Sequence, residues 1–288
     1  MSGEPAAGRG GMDRAALAVD RLRQELITGG LWVAISVVAE TGSTNSDLAG
    51  AARAGAAEGT VLVAEHQRAG RGRAGRGWQS PARAGLTVSV LLRPGEADRR
   101  TPPVPAIRWG WLSLLAGVAL AESVTALAGV AARLKWPNDL LVADGKGAGI
   151  LAEVVGEAVV VGVGLNVSTR PDEVPPPAGG LPATSLAQAG ARLTDRTELL
   201  LGLLRRLELW YGRWRTAGGD PDRCRLRPAY QQFCATIGQP VRVLLPAGGE
   251  LTGTAEGVDG DGRLLVRTAS GTVHALAAGD VVHVRPPG

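Results

Sequence analysis

The chain has 288 residues, and at about 100 to 200 residues per domain this length and a hydrophobic content of 45% indicate two domains with a sizeable core. Thirty-one Lys and Arg against 27 Asp and Glu leave a formal net charge of +4, which is too small to indicate nucleic acid or a membrane surface as partner by electrostatics alone. Two cysteines and three scattered histidines exclude a disulfide framework and a histidine-based metal site, and without a signal peptide we expect reduced thiols in the cytoplasm.

The first predicted element is an amphipathic helix. Residues 1–12 are rich in glycine and alanine and predict a disordered N-terminal lead. Asp13 is expected to cap the helix, which ends at the pair Gly29-Gly30. Its apolar face consists of Leu17, Leu22 and Leu26.

A strand, a capped helix and two further strands are predicted next. The strand lies near 32–38, and the polar segment 40–46 then opens an alanine-rich helix that continues to about residue 57. This arrangement places hydroxyl groups and free backbone N–H groups at a helix N-terminus, where they can bind an anion. Strands at 60–65 and 86–92 flank a loop rich in glycine and arginine.

The middle of the chain predicts a long helix followed by a β-meander. The helix runs from about 105 to 127, and the apolar stretch 109–132 contains Glu122 and several hydroxyl side chains. A buried helix explains this stretch better than a membrane span does. Antiparallel strands are predicted at 133–136, 140–142, 149–155 and 159–166.

The C-terminal part changes in character at Gly238. Before it, residues 171–182 hold five prolines and predict a surface loop, and Asp195 with Glu198 predicts a capping box. The buried stripe of the helix that follows is Leu199, Leu203, Leu207, Trp210 and Trp214. Beyond Gly238, glycine-rich turns separate five short strand-like runs, which indicates a small β-barrel. We assign Cys224 and Cys234 no chemistry and expect them to be packing residues near this boundary.

The segment Gly70–Trp78 is the first motif with chemical content. Four glycines and three arginines in residues 70–77 cannot form a core, whereas their backbone N–H groups and guanidinium groups suit a phosphate or another anion. Ordering such a loop costs roughly 1 to 2 kcal/mol per residue, so we expect it to be mobile until a ligand holds it. A solvated loop or a nucleic-acid contact of RGG type is the alternative.

Two further motifs contain the only lysines among the 31 basic residues. Lys135-Trp-Pro-Asn-Asp139 predicts a tight turn that presents Lys135 to an anion and Trp136 as the wall of an apolar pocket. Glycines around Lys146 let the backbone approach a ligand. Gly162-Val-Gly164 lacks the third glycine and the helix of a dinucleotide fingerprint, and it predicts a strand. Each motif taken alone is also compatible with a purely structural role.

Together, the order and spacing of these motifs resemble those of the bacterial biotin protein ligases. The matching segments are Gly42-Ser-Thr-Asn45, Gly70-Arg-Gly-Arg-Ala-Gly-Arg76, Lys135-Trp-Pro-Asn-Asp139, Lys146-x-x-Gly-Ile-Leu-x-Glu153 and Gly-x-Gly-x-Asn166. The resemblance implies an α+β fold: a class II synthetase-like catalytic domain at 13–237, with a mixed or antiparallel sheet and packed helices, and an SH3-like β-barrel at 238–288.

The resemblance also implies an activity. Biotin and Mg-ATP would form biotinyl-5′-AMP, and the biotinyl group would pass to one lysine of the biotin carrier domain of acetyl-CoA carboxylase. Some members of the family carry an N-terminal DNA-binding domain. Since about 12 residues precede the first predicted helix, the resemblance implies a cytoplasmic, monofunctional ligase, a monomer or weak dimer, with neither specific DNA nor a membrane as partner and without a fixed metal site.

The resemblance assigns roles to individual residues. Lys146 is expected to bridge the biotin carboxylate and the phosphate, and Arg73, Lys135 and Asp139 complete the catalytic group, with Asp139 orienting Lys135 or a metal-bound phosphate. The implied biotin contacts are Ser43, Thr44, Asn45, Gln67, Arg71, Gly72, Arg73 and Lys146. The implied adenylate contacts are Arg76, Trp78 and Asn166.

Three alternatives stay open at this point. Lipoate or octanoyl transferases share the fold, but they lack the glycine- and arginine-rich loop and the Lys-Trp-Pro-Asn-Asp turn in this form. A ligand-responsive nucleic-acid module would use the arginines but would leave Lys146 and the segment 43–45 unexplained. The terminal barrel could alternatively be an adaptor, although it has no concentrated charge.

Overall fold

A computed structural model describes residues 14–97, 101–143, 145–173, 181–246 and 248–283. The predicted N-terminal lead, the helix cap at Asp13 and most of the proline-rich loop lie outside these residues. The α-helices of the described part are α1 (Val19–Leu26), α2 (Thr44–Arg53), α3 (Trp111–Ser123), α4 (Arg196–Thr216) and α5 (Leu226–Phe233). Its strands are β1 (Ala34–Val38), β2 (Thr60–Ala64), β3 (Gly85–Leu92), β4 (Ala132–Lys135), β5 (Asp139–Val142), β6 (Gly145–Val155), β7 (Ala158–Asn166), β8 (Pro240–Leu244), β9 (Glu250–Val258), β10 (Leu264–Arg267), β11 (Val273–Leu276) and β12 (Asp280–His283).

The first sheet has seven strands in the order β1-β2-β3-β7-β6-β5-β4. Strands β1 and β2 are parallel and every other neighbouring pair is antiparallel, so the sheet is mixed. The predicted meander corresponds to β4–β7. The α+β fold class is therefore confirmed.

The helices cover the two faces of this sheet unequally. Successive side chains of a strand point to opposite faces, so Val90 of β3 joins the large core with α3 and α4, while Leu91 packs in a small cluster with α2. Because α2 is short, it covers only part of its face. The remainder of that face is free to form a site.

Helices α3 and α4 form the centre of the large core. The helical stretch Ala106–Ala128 is long and apolar enough to cross a membrane, but 72% of its most apolar part is buried inside the protein. A helix that is apolar all round and buried in this way is a core helix, as its sequence predicts. The stripe predicted for α4 is buried as well, and Asp195 caps the helix by accepting a hydrogen bond from Glu198 N at 3.0 Å.

Several elements differ from the prediction, and one of them is α2, which ends at Arg53 rather than near residue 57. Helix α1 begins at Val19, since the preceding segment makes tertiary contacts such as Leu17 N to Glu65 Oε1 at 2.8 Å. Helix α5 was not predicted, because its eight residues bury only Leu226 and Tyr230. Strand β6 begins four residues earlier than predicted, and Lys146 N donates to Pro182 O at 2.8 Å. The glycine-rich run around Lys146 is thus strand rather than loop.

The second sheet holds five antiparallel strands in the order β11-β10-β9-β8-β12. It forms a small β domain. Its buried residues, which belong to the same continuous core as the first sheet, are Val241, Val243, Ala255, Val258, Leu264, Val266 and Val281.

Two tryptophans hold this domain against the first. Trp111 Nε1 donates to Gly260 O at 2.9 Å, and Trp136 Nε1 donates to Gly262 O at 3.3 Å. Trp136 is 1% exposed. The prediction that Trp136 forms a wall of a ligand pocket is therefore wrong, because its indole ring makes a contact between the two sheets instead. Both cysteines are buried free thiols. The backbone of Cys234 forms an isolated β-bridge with Leu134 near this contact.

Candidate active site

One cavity of about 520 Å³ lies on the partly covered face of the first sheet. Its walls come from the N-terminus of α2, the loop 70–77, the turn between β4 and β5, and strands β3, β6 and β7. The lining includes every predicted site residue: Ser43, Thr44, Asn45, Gln67, Arg71, Gly72, Arg73, Arg76, Trp78, Lys135, Asp139, Lys146 and Asn166. Residues up to 123 positions apart in the sequence thus meet in one space.

Glycines of β7 form part of the cavity floor. A Cβ atom at Gly162 would lie 2.1 Å from Asn45 Oδ1, and one at Gly164 would lie 2.4 Å from Trp78 Cε2. Both distances are far below van der Waals contact, so these positions must be glycine for Asn45 and Trp78 to rest on the sheet. Two residues apart on a strand, the glycines face the same side. The Gly-x-Gly motif therefore forms part of the cavity floor and is not a dinucleotide-binding fingerprint.

The N-terminus of α2 supplies a polar wall. Ser43 is the N-cap and accepts a hydrogen bond from Ser46 N at 3.5 Å. Thr44 donates through its backbone N and its Oγ1 to Gln67 Oε1, at 2.8 and 3.0 Å. Since the carbonyl oxygen of Gln67 is used in this way, its amide NH₂ group is the part left to face a ligand.

Asn45 is held from three sides. Its Nδ2 donates to Leu151 O at 3.1 Å and to Glu153 Oε2 at 2.9 Å, and its Oδ1 accepts from Ser89 Oγ at 2.6 Å. Ser89 is fully buried on β3, and the motif reasoning missed it. Its sequence signal was a serine inside a strand whose other buried residues are mainly apolar.

The lining of the cavity is also rich in positive charge. Five basic side chains and one carboxylate line the cavity: Arg71, Arg73, Arg76, Lys135, Lys146 and Asp139. Lys146 Nζ lies 2.7 Å from Asp139 Oδ1, so the ion-pair partner of Asp139 is Lys146 rather than Lys135. The unbalanced positive charge suits an anionic ligand.

Burial acts on two of these cations. It lowers the pKa of Lys135, an effect that the nearby Asp139 carboxylate opposes and the Lys146 ammonium reinforces. Burial likewise lowers the pKa of Arg73, whose Nη1 donates to Asn138 Oδ1 at 3.3 Å. An anion bound between these side chains would stabilise their charged forms.

Among the described residues, two buried polar atoms of the lining have neither a hydrogen-bond partner nor an ion-pair partner. They are the Nε1 donor of Trp78 and the Oδ1 acceptor of Asn166, whose Nδ2 donates to Thr184 O at 2.9 Å. Buried polar groups are nearly always hydrogen-bonded, so a free donor and a free acceptor in one cavity indicate a ligand or water that satisfies them.

The loop 70–77 is folded as a small hairpin over the cavity. Trp78 N donates to Gly70 O at 2.8 Å, and Gly72 N donates to Arg76 O at 2.7 Å. Arg76 forms an ion pair at 2.9 Å with Asp280 of the second sheet. No local sequence signal predicts this contact, because it depends on how the two sheets dock.

Comparisons with known proteins give a consistent picture. Residues 40–168 match the model of the Biotin/lipoate A/B protein ligase family, and residues 236–284 match the Biotin protein ligase C terminal domain. The biotin–[acetyl-CoA-carboxylase] ligase of Mycobacterium tuberculosis is 47% identical over 269 residues, which cover 92% of this chain and 94% of the relative.

Two further relatives extend this picture. The bifunctional ligase/repressor BirA of Escherichia coli is 34% identical over 213 residues, or 72% of this chain and 61% of that protein. The structure of the Aquifex aeolicus biotin protein ligase in complex with biotin and ATP is similar with a TM-score of 0.70 and 27% identity, covering 88% of this chain and all of the other.

Proposed function

The chain belongs to the biotin protein ligase family, and from that premise we propose how its own residues carry out the reaction. It joins biotin to ATP as biotinyl-5′-AMP with release of pyrophosphate, and it then transfers the biotinyl group. The observation that carries the assignment of roles is the single cavity in which five cations, one carboxylate and the α2 N-terminus meet.

The first step brings two anions together. A carboxylate oxygen of biotin attacks the α-phosphorus of ATP, the new O–P bond forms, and the bond to pyrophosphate breaks. Fixed positive charge in a site that excludes water lowers the barrier to such a step. We assign this role to Lys146, Lys135 and Arg73. Lys146 is the residue that bridges carboxylate and phosphate, because Asp139 fixes its ammonium within the cavity.

The polar wall at α2 is assigned to biotin. The ureido ring needs donors and acceptors in a fixed arrangement, which Ser43, Thr44 and Gln67 can supply. Asn45, whose amide hydrogens are both used within the protein, holds this wall in place. From the loop above, Gly72 and Arg73 close over the biotinyl group, and Arg71 lies beside them in the cavity lining.

The floor near β7 is assigned to the adenylate. The Trp78 ring rests on Gly164 and offers an aromatic surface to a base, while the free Oδ1 of Asn166 can accept from an exocyclic amino group. Arg76 lies on the phosphate side. The open donor and acceptor of this floor support a ligand with the hydrogen-bonding pattern of adenine.

Mg²⁺ fits this site as a companion of ATP. Among the described residues no group of three His, Cys, Asp or Glu side chains could hold a metal ion, and Asp139 is the one carboxylate in the lining. Mg²⁺ typically keeps several waters and binds through one or two carboxylates and substrate phosphates. When bound, the ion neutralises phosphate charge.

The second step concerns the acceptor. We infer that the amine of one lysine of a biotin carrier domain attacks the acyl carbon of biotinyl-AMP, so that an amide forms and AMP leaves with loss of a proton.

We propose that the chain acts in the cytoplasm as a monomer or weak dimer that binds neither an operator DNA nor a membrane. Gel-shift binding to a specific operator would contradict this.

We propose a division into a catalytic domain at 13–237 and a C-terminal domain at 238–288. The family matches at 40–168 and 236–284 support this division. The Arg76–Asp280 ion pair supports a task for the second domain, namely holding the loop over the adenylate.

The experiment that tests this function is isotope exchange between pyrophosphate and ATP with biotin or lipoate as the acid. Exchange is expected with biotin, and excess lipoate should not inhibit it. Exchange that depends on lipoate instead would assign the chain to the lipoate-specific enzymes that share the fold.

A further inference from the structure

We propose that Glu153 is a positioning residue that anchors the loop 70–77 to the biotin wall, and that Arg71 acts through Glu153 rather than on biotin directly. The inference rests on the proposed function of the cavity. It concerns a carboxylate on β6 that does not line the cavity and that the reaction itself does not use.

Glu153 joins three separate elements. Its Oε1 lies 2.9 Å from Arg71 Nη2 in the loop, and its Oε2 accepts from Asn45 Nδ2 in α2 at 2.9 Å. A second contact, Arg71 Nη1 to Glu153 Oε2 at 3.4 Å, makes the ion pair two-pronged. Pairs of this kind fix the direction of a guanidinium as well as its distance. One side chain of the strand thus holds both the loop and the helix N-terminus.

The Glu153 carboxylate accepts the second of the two hydrogen bonds that the Asn45 side-chain amide donates. One amide hydrogen of Asn45 goes to Leu151 O, the other goes to Glu153, and Oδ1 accepts from Ser89. The amide also rests against Gly162, where it has no room to shift. Removal of the acceptor at position 153 would leave a buried N–H group without a partner and would loosen the wall that carries Ser43 and Thr44.

The same carboxylate directs Arg71 away from the cavity centre. Arg71 Nη1 also lies 3.4 Å from Ser46 Oγ, so both ends of its guanidinium face the junction of α2 and β6. Arg71 is paired across the hairpin with Gly77, and Arg76 on the other strand of the hairpin is tied to Asp280. The hairpin therefore has one anchor on each side. Arg73, between them, is the arginine that can reach a bound anion.

This geometry predicts how the variants behave. With the Arg71 side chain 51% exposed and the Glu153 side chain 24% exposed, solvent screens the ion pair only in part, and coupling between such contacting residues corresponds to about a tenfold change. Glu153→Gln should raise the biotin KM about tenfold. It should also raise by about tenfold the rate at which biotinyl-AMP escapes or hydrolyses without acceptor. Because neither residue touches the reacting atoms, the kcat of pyrophosphate exchange should stay within about threefold of wild type.

The experiment is a double-mutant cycle of Glu153→Gln and Arg71→Gln in the full-length protein. The measured quantities are the biotin KM and kcat of pyrophosphate exchange and the formation of AMP without acceptor. If Arg71 acts through Glu153, the double variant should be no worse than the worse single variant. Arg71→Lys, which keeps the charge but only one prong of the ion pair, should recover part of the loss. Glu157→Gln is the matched control, because Glu157 is an exposed carboxylate in the turn between β6 and β7. This variant should equal wild type.

Several outcomes would overturn the inference. These are additive losses in the double variant, a wild-type KM in Glu153→Gln, or equal losses in Arg71→Gln and Arg71→Lys. The two arginine variants decide the question if Glu153→Gln does not fold. Absence of biotin-dependent exchange in the wild type would instead contradict the proposed function, so the two failures are distinguishable.

Discussion

Lys146 Nζ lies 2.7 Å from Asp139 Oδ1, and this ion pair joins two neighbouring strands at the edge of the cavity. Lys146 and Lys135 are the only lysines of the chain, and both line the same cavity. The ammonium of Lys146 lies close to the backbone of β6, since a Cβ at Gly149 would be in ordinary van der Waals contact with it at 3.5 Å. A compact ammonium fits there, whereas a planar guanidinium needs more room and five donors satisfied.

Replacement of Lys146 should stop the first half-reaction. Lys146→Ala should lower biotin-dependent pyrophosphate exchange by about 10² to 10³-fold, the range seen when a fixed donor to a transition-state charge is removed. The variant should still fold, with a modestly lower melting temperature because the Asp139 carboxylate, 18% exposed, loses its ion-pair partner. Near-normal exchange in the folded variant would remove Lys146 from the mechanism.

The pH dependence should report the burial of Lys135. Burial lowers the pKa of Lys135 below its ordinary value of 10.5, so the unfolded chain binds more protons between the two pKa values and stability rises with pH in that window. Lys135→Met should therefore raise the melting temperature at neutral pH, and the gain should shrink as the pH approaches 10.5.

The substitution that raises the melting temperature should lower the pyrophosphate exchange activity. Lys135→Met should lower exchange, and Lys135→Arg should extend the alkaline limb of the exchange profile to higher pH. Melting curves and exchange rates at a series of pH values check both statements. A gain in melting temperature that is independent of pH up to 10.5 would show that the charge of Lys135 is not the cause.

The glycine floor gives a steric test. Gly164→Ala places a methyl group 2.4 Å from the Trp78 ring, so the ring must leave the sheet. We expect the KM for ATP to rise by at least about tenfold, the effect of losing about 1.4 kcal/mol of binding. Gly257→Ala, where a Cβ meets nothing within 4 Å, is the control. Equal KM values for ATP in the two variants would exclude Trp78 from the adenylate site.

The loop 70–77 should respond to the intermediate. Its backbone hydrogen bonds lie mostly within the hairpin itself, which makes opening easy in the absence of ligand. Hydrogen exchange of these residues should slow by about tenfold or more when biotinyl-AMP binds, while the buried centre of α4 stays unchanged. Equal protection of the loop in both states would contradict its role in retaining the intermediate.

The sequence predicts the composition of the site better than its internal contacts. Glycines and charged residues in short motifs carry chemistry that does not depend on distant parts of the chain, so the thirteen predicted residues meet as expected. The partner of Asp139 depends instead on a register shift between Leu140 and Leu141, and the position of Asp280 depends on the docking of two sheets. Neither has a local signal.

The role of Trp136 is a second feature that the sequence alone does not predict. A large aromatic side chain beside a lysine suits a ligand pocket and a domain contact equally well. Only the tertiary structure brings Gly262 O to its indole N–H and Thr236 Oγ1 to its backbone N–H. The fold class was more accessible, because the continuous apolar runs of β7 and α3 and the apolar stripe of α4 are visible in the sequence.

The most direct test of the account is biotinylation of a purified biotin carrier domain by the wild type and by Lys146→Arg, followed by mass spectrometry. With biotin and Mg-ATP, the wild type should add one biotinyl group to a single lysine of the carrier, and omission of either substrate should abolish the addition. Lys146→Arg, with an unchanged melting temperature, should be at least about 100-fold slower. No addition by the wild type, or equal rates for the two proteins, would contradict the account.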